Sequence, residues 1–157
     1  MKTKTIKVYQ YSELNDKAKE NAAQWFLECN DMQFQWECMQ EDAKTVGIEL
    51  QGTHHDTMQG SLLLDFTQVL ANILKEHGET CETWKTARKY KDEYEKLTEE
   101  EIINGKDEDI REEFLQSILE DYRILWNKEE EYCQSEEYIE EIMSINEYEF
   151  DENGRRI

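Results

Sequence analysis

Apolar residues recur every three or four positions over most of this chain, and in a few short stretches the interval falls to two. Leu14, Ala18, Ala22, Trp25, Phe26 and Cys29 form the first long run. That spacing predicts an amphipathic helix from an N-cap at Ser12 to about residue 30. A second helix, from about residue 31, places Phe34 or Met32, Cys38, Met39, Ala43 and Val46 on one side, and Gly47 ends it. Trp36 falls off that stripe and is expected at the surface. Residues 68–77 repeat the pattern through Val69, Leu70, Ile73 and Leu74, with His77 at the helix C-terminus before Gly78. Residues 80–97 do so through Trp84, Ala87, Tyr90 or Lys91, Tyr94 and Leu97, and residues 98–109 are expected to form a loop with one short helical turn. Ile110, Phe114, Ile118, Tyr122, Leu125 and Trp126 then predict a long helix to about Cys133. Ser135 caps a last one whose inner face is Tyr138, Ile139, Ile142 and Met143.

Period two appears at both ends and near the middle. Residues 3–11 alternate Ile6 and Val8 with Lys7 and Tyr9, which predicts a strand. Ile48 and Leu50, followed after a polar stretch by residues 61–66, predict a hairpin with a long connection. Residues 147–150 read as a closing strand, ended by the turn Asp151-Glu152-Asn153-Gly154. This order predicts an α+β fold: a small antiparallel sheet of three to four strands packed with about six helices, and a helix-rich C-terminal half. One domain over residues 1–157 is expected, with an acidic helical lobe at about 92–152. The chain has no proline to interrupt the helices, and its 4 Trp, 8 Tyr and 5 Phe supply large buriable surfaces despite 36% charged residues.

Charge changes the picture more than any motif. Residues 92–152 hold 24 Asp and Glu against 5 Lys and Arg, a net of −19 out of −20 for the whole chain. Helical rotation of ~100° per residue sets Glu112, Glu113, Glu120, Glu130 and Glu131 opposite the apolar face of the long helix. In the last helix Glu136, Glu137, Glu140 and Glu141 occupy a single arc away from the apolar one. Surface acid of this kind commonly serves solubility. Here Glu137 with Glu141 and Glu136 with Glu140 are like-charge pairs four residues apart, each costing a few tenths of a kcal/mol, where lysines would have been favourable. Glu112 to Glu131 spans about 28 Å at ~1.5 Å per residue, nearly one turn of a duplex that carries a charge every ~1.7 Å. The field argues against direct binding of nucleic acid or an anionic membrane and for a cationic groove as partner.

Candidate chemistry is sparse. His54-His55-Asp56 is the one grouping with metal-ligand character, yet adjacent strand residues point to opposite faces. A polar hairpin loop is the expected role, and a small metal-dependent hydrolase using His54 and His55 is one alternative. Cys29, Cys38, Cys81 and Cys133 show no Cys-x-x-Cys pair, and no leader pattern precedes them, so reduced thiols in the cytoplasm of a host cell are expected. Cys29, Cys38 and Cys133 share faces with aromatics, which suggests packing. No nucleophile elbow, cysteine–histidine pair or glycine-rich phosphate loop occurs, so no catalytic residue, metal or cofactor is expected.

Val8-Tyr9-Gln10-Tyr11-Ser12-Glu13-Leu14, with Ala18-Lys19 and Ala22, resembles the start of small uncharacterised acidic proteins of tailed bacteriophages and prophages. Leu119-Glu120-Asp121-Tyr122-Arg123-Ile124-Leu125 and Asn146-Glu147-Tyr148-Glu149-Phe150 resemble the same group. The resemblance covers most of the chain and carries no catalytic motif. It implies a phage source and raises a counter-defence role of the anti-CRISPR or anti-restriction type. The expectation is an inhibitor that occupies the basic groove of a host protein or ribonucleoprotein through Glu112, Glu113, Glu120, Glu130, Glu131, Glu136, Glu137, Glu140 and Glu141, with Trp36 as an aromatic contact. The other alternative is a phage accessory module with an aromatic interface, including Trp36 or Tyr11, whose acid only maintains solubility.

Overall fold

The computed structural model describes residues 2–52 and 58–157. Its elements, in order, are β1 (Tyr9–Gln10), α1 (Asp16–Cys29), α2 (Gln33–Val46), β2 (Ile48–Gln51), β3 (Gln59–Leu62), α3 (Phe66–Glu76), α4 (Glu82–Glu95), α5 (Glu99–Ile103), α6 (Lys106–Cys133), α7 (Glu136–Ile145) and β4 (Glu149–Phe150). The chain is therefore a mixture of helix and sheet dominated by helix. The described strands form two separate two-stranded antiparallel sheets, not one sheet of three to four. The chain divides into two compact units, residues 1–32 with 129–157, and residues 33–128.

In the unit that joins the two ends of the chain, β1 pairs with β4, Tyr9 opposite Phe150 and Gln10 opposite Glu149. The strand expected over residues 3–11 shrinks to two residues because its partner supplies no more. Ile6 and Val8 stay exposed despite their alternation. Ser12 lies in a 3-10 turn, Tyr11–Glu13, and the cap of α1 is Asn15, whose side chain accepts from the Ala18 amide at 2.9 Å. Asn15 displaces Ser12 because the turn closes on itself, the Gln10 amide donating to Glu13 at 2.8 Å. The core is Tyr11, Leu14, Ala18, Ala22, Phe26, Ile139, Met143 and Phe150. Cys29, expected on that face, is exposed. Gly154 closes the terminal turn against α1 at φ +78°, and a Cβ there would lie 1.9 Å from the Ala18 carbonyl oxygen. Only glycine fits.

In the other unit, β2 and β3 form a hairpin, Ile48 opposite Leu62 and Gln51 opposite Gln59, but the second strand, expected over residues 61–66, ends at Leu62, and Phe66 already opens α3. The turn expected between residues 98 and 109 is α5, and α6 starts at Lys106, four residues before the expected Ile110. The buried line of α6 in this unit is Phe114, Ile118, Tyr122 and Trp126, at a constant four-residue step, which leaves Leu125 41% exposed. Trp36 is only 5% exposed and packs edge-on against Trp126, ring centroids 5.3 Å apart. The buried stripe of α2 is therefore Trp36, Ala43 and Val46, and Cys38 and Phe34 face solvent, Phe34 at 73%. Burying an indole outweighs burying a thiol and rotates the helix. Tyr122, Asp42, His77 and Thr83 link α6, α2, the end of α3 and α4. The Tyr122 hydroxyl donates to Asp42 Oδ2 at 3.3 Å, His77 Nε2 lies 3.6 Å from the same oxygen, and His77 Nδ1 lies 2.6 Å from Thr83 Oγ1.

Candidate acidic interaction surface

Helix α7 begins where Ser135 Oγ accepts from the Tyr138 amide at 3.2 Å, and that cap fixes the helix phase. Ile139 and Met143 are then buried, Tyr138 and Ile142 half-buried, and Glu136, Glu137, Glu140 and Glu141 exposed. Their four-residue spacing makes two rows. Glu136 and Glu140 face Tyr11, whose hydroxyl pKa is raised by burial and then by these two carboxylates. Glu137 and Glu141 face Tyr132, whose pKa is raised by desolvation and then by Glu141 and Glu137. Among the described residues no lysine or arginine pairs with any of the four.

Residues 129–152 contain 11 acidic residues and no base, so this unit has 16 acidic against 7 basic residues, a net of −9. Glu130 is half-buried and Glu131 exposed. Glu129, which sequence reasoning passed over, points to the buried Cys133, its Oε1 3.7 Å from the Sγ. Burial, with Glu129 next, raises the pKa of that thiol, which keeps it protonated. The Glu129–Cys133 spacing of four was the available signal. Beside α7 lies a recess of about 380 Å³ lined by Tyr11, Lys19, Glu20, Leu27, Glu136 and Ile139.

The second unit has 22 acidic against 11 basic residues, a net of −11, and its carboxylates are differently placed. Glu112 and Glu113 are exposed on α6 and carry no ion pair among the described residues. Glu120, expected among the partner-facing carboxylates, is gripped by Arg123, with Nε at 2.8 Å from Oε2. Glu113, Glu120 and Asp121 line an open groove of about 510 Å³ with Thr86, Tyr90 and Ser117. There the Thr86 hydroxyl donates to Asp121 at 2.6 Å. Helix α4 carries Lys85, Arg88, Lys89 and Lys91, of which Lys85 pairs with Glu82, Arg88 with Asp92 and Lys91 with Glu95, while Lys89 lies over the Tyr90 ring. This chain uses oppositely charged pairs at helical spacing in α4 and omits them in α7.

The expected residues are thus distributed. Glu136, Glu137, Glu140 and Glu141 lie together with Glu130 and Glu131 in one unit, whereas Glu112, Glu113 and Glu120 belong to the other. Trp36 belongs to neither acidic face, being buried against Trp126. His54, His55 and Asp56 lie outside the described residues. Among the described residues no group of three or more His, Cys, Asp or Glu is placed to hold a metal ion, and no helix is long and apolar enough to cross a membrane. No family model, curated protein or solved structure matches the chain.

Proposed function

We propose that this chain is a non-enzymatic, phage-type binding protein that inhibits a host nucleic-acid-handling defence complex by setting acidic helix faces against a basic groove. The observation that carries this reading is the row structure of α7, in which four exposed glutamates stand at like-charge spacing and form no ion pair among the described residues, Lys19 of the neighbouring recess lying over the Tyr11 ring instead. An arrangement that costs helix stability, and that α4 of the same chain offsets with opposite-charge pairs such as Arg88 with Asp92, is understandable if the field is used. Two rows of carboxylates on a rigid, capped helix are suited to face Lys and Arg side chains that otherwise bind phosphates. The partner is a host protein or ribonucleoprotein, and the protein itself repels nucleic acid.

The aromatic-interface alternative is weakened by burial, since Trp36 and Tyr11 are each only 5% exposed. The test is capture from bacterial lysate by immobilised protein, wild type against the variant carrying Glu136→Lys, Glu137→Lys, Glu140→Lys and Glu141→Lys. The variant is expected to lose the nucleic-acid-handling proteins retained by the wild type while keeping its circular dichroism spectrum. Equal retention by both would count against the proposal.

A further inference from the structure

In the unit that holds both ends of the chain, Trp25 of α1 and Tyr148, just before β4, stand with ring centroids 5.6 Å apart and planes at 90°. Phe150, fully buried, backs Trp25 at 6.1 Å. Two perpendicular half-buried rings make a two-walled corner, and a cation sits in it. The Arg156 guanidinium lies 4.5 Å from the Tyr148 centroid and 5.0 Å from that of Trp25. Both distances are within the ~6 Å reach of a cation–π contact. Among the described residues no carboxylate forms an ion pair with Arg156, although the chain has 38 acidic residues against 18 basic ones. The corner therefore holds a guanidinium by its aromatic faces.

The arginine is also free to leave. Residue 156 is exposed, and its backbone is held separately, bridged to Phe150 while the Ile157 amide donates to the Glu149 carbonyl at 3.0 Å. Swinging the side chain out breaks no strand pairing. We propose that Trp25 and Tyr148 form a guanidinium-binding site, occupied in the free protein by Arg156 and open to an arginine of a partner protein by exchange. Arginine suits the corner better than lysine because its plane stacks on rings and is more weakly hydrated. The net charge of −9 on this unit draws cations to the site. The site rests on the aromatic geometry alone and stands whether or not the α7 glutamates bind a basic groove.

Arg156→Ala vacates the corner without touching its walls. The probe is Nα-acetyl-arginine amide, with Nα-acetyl-lysine amide as comparison, and the readout is the Trp25 indole N–H resonance. Exposed cation–π strengths translate into an affinity for the arginine probe about two- to fivefold tighter in R156A than in wild type, with the lysine probe binding more weakly. Adding Trp25→Leu to R156A should abolish the shift of Tyr148, and adding Tyr148→Leu should abolish that of Trp25. If one double variant fails to fold by circular dichroism, the other gives the same reading. Equal affinity in wild type and R156A, or binding that survives loss of a wall, would overturn the proposal.

Discussion

Asp42 and Asp121, both in the unit of residues 33–128, are shifted in opposite directions by their surroundings. The pKa of Asp42 is lowered chiefly by its hydrogen bond with His77, so its contribution to stability is full above its unfolded value, near ~4, and is lost as pH falls through the folded value. The pKa of Asp121 is raised by burial, opposed by the Thr86 hydrogen bond and reinforced by Glu82 and Glu120. Its contribution is full below the unfolded value and is lost as pH rises through the folded one. Asp121→Asn keeps an acceptor for Thr86 and removes the half-buried charge. Thermal unfolding is expected to show a higher midpoint than wild type at neutral pH and no gain at about pH 3. Asp42→Asn should show the reverse, a loss at neutral pH that closes on acidification. Gly154→Ala is expected to cost about 2 to 3 kcal/mol in denaturant titration, because a methyl group must displace the Ala18 carbonyl. Trp36 shows what single residues conceal. Counting apolar positions in α2 favours a stripe through Cys38 and Met39, whereas the area of one indole favours Trp36 with Ala43, and only the presence of Trp126 decides between them.

Helices, with their caps and outer faces, were the most legible elements, because each shows its period over several turns and needs no distant partner. Ser135 was readable as the cap of α7, and the acidic arc followed from the same phase. Short strands were not readable in extent. The alternation of Ile6 and Val8 meets no partner strand among the described residues, and β4 is two residues long, so pairing stops at Tyr9. The corner of Trp25, Tyr148 and Arg156 was invisible for a related reason, since Trp25 is distant in sequence from the other two and meets them only when α1 packs beside the chain's end. Ser135→Ala should destabilise the unit containing α7 by about 1 kcal/mol. Glu141→Lys places a lysine four residues after Glu137 and replaces a repulsion by an attraction. It should stabilise that unit by about 0.5 kcal/mol while weakening partner capture. A gain in stability with undiminished capture would indicate that the α7 carboxylates serve solubility.

At the scale of the molecule the excess acid is shared between both units, −9 and −11, but its arrangement differs. In the unit of residues 33–128 Lys85, Arg88 and Lys91 of α4, and Arg123, are matched with neighbouring carboxylates. In the other, the α7 glutamates form no ion pair among the described residues. That contrast makes the acidic α7 face the centre of the account, and its most direct test is the salt dependence of association. The association rate constant of the partner captured from lysate should be measured between about 50 and 500 mM salt, over which the screening length falls from roughly 14 to 4 Å. Wild type is expected to slow by about tenfold or more, and the variant with all four α7 glutamates reversed to show neither the fast low-salt rate nor the slope. A wild-type rate indifferent to salt, or a slope that survives the reversal, would contradict the account.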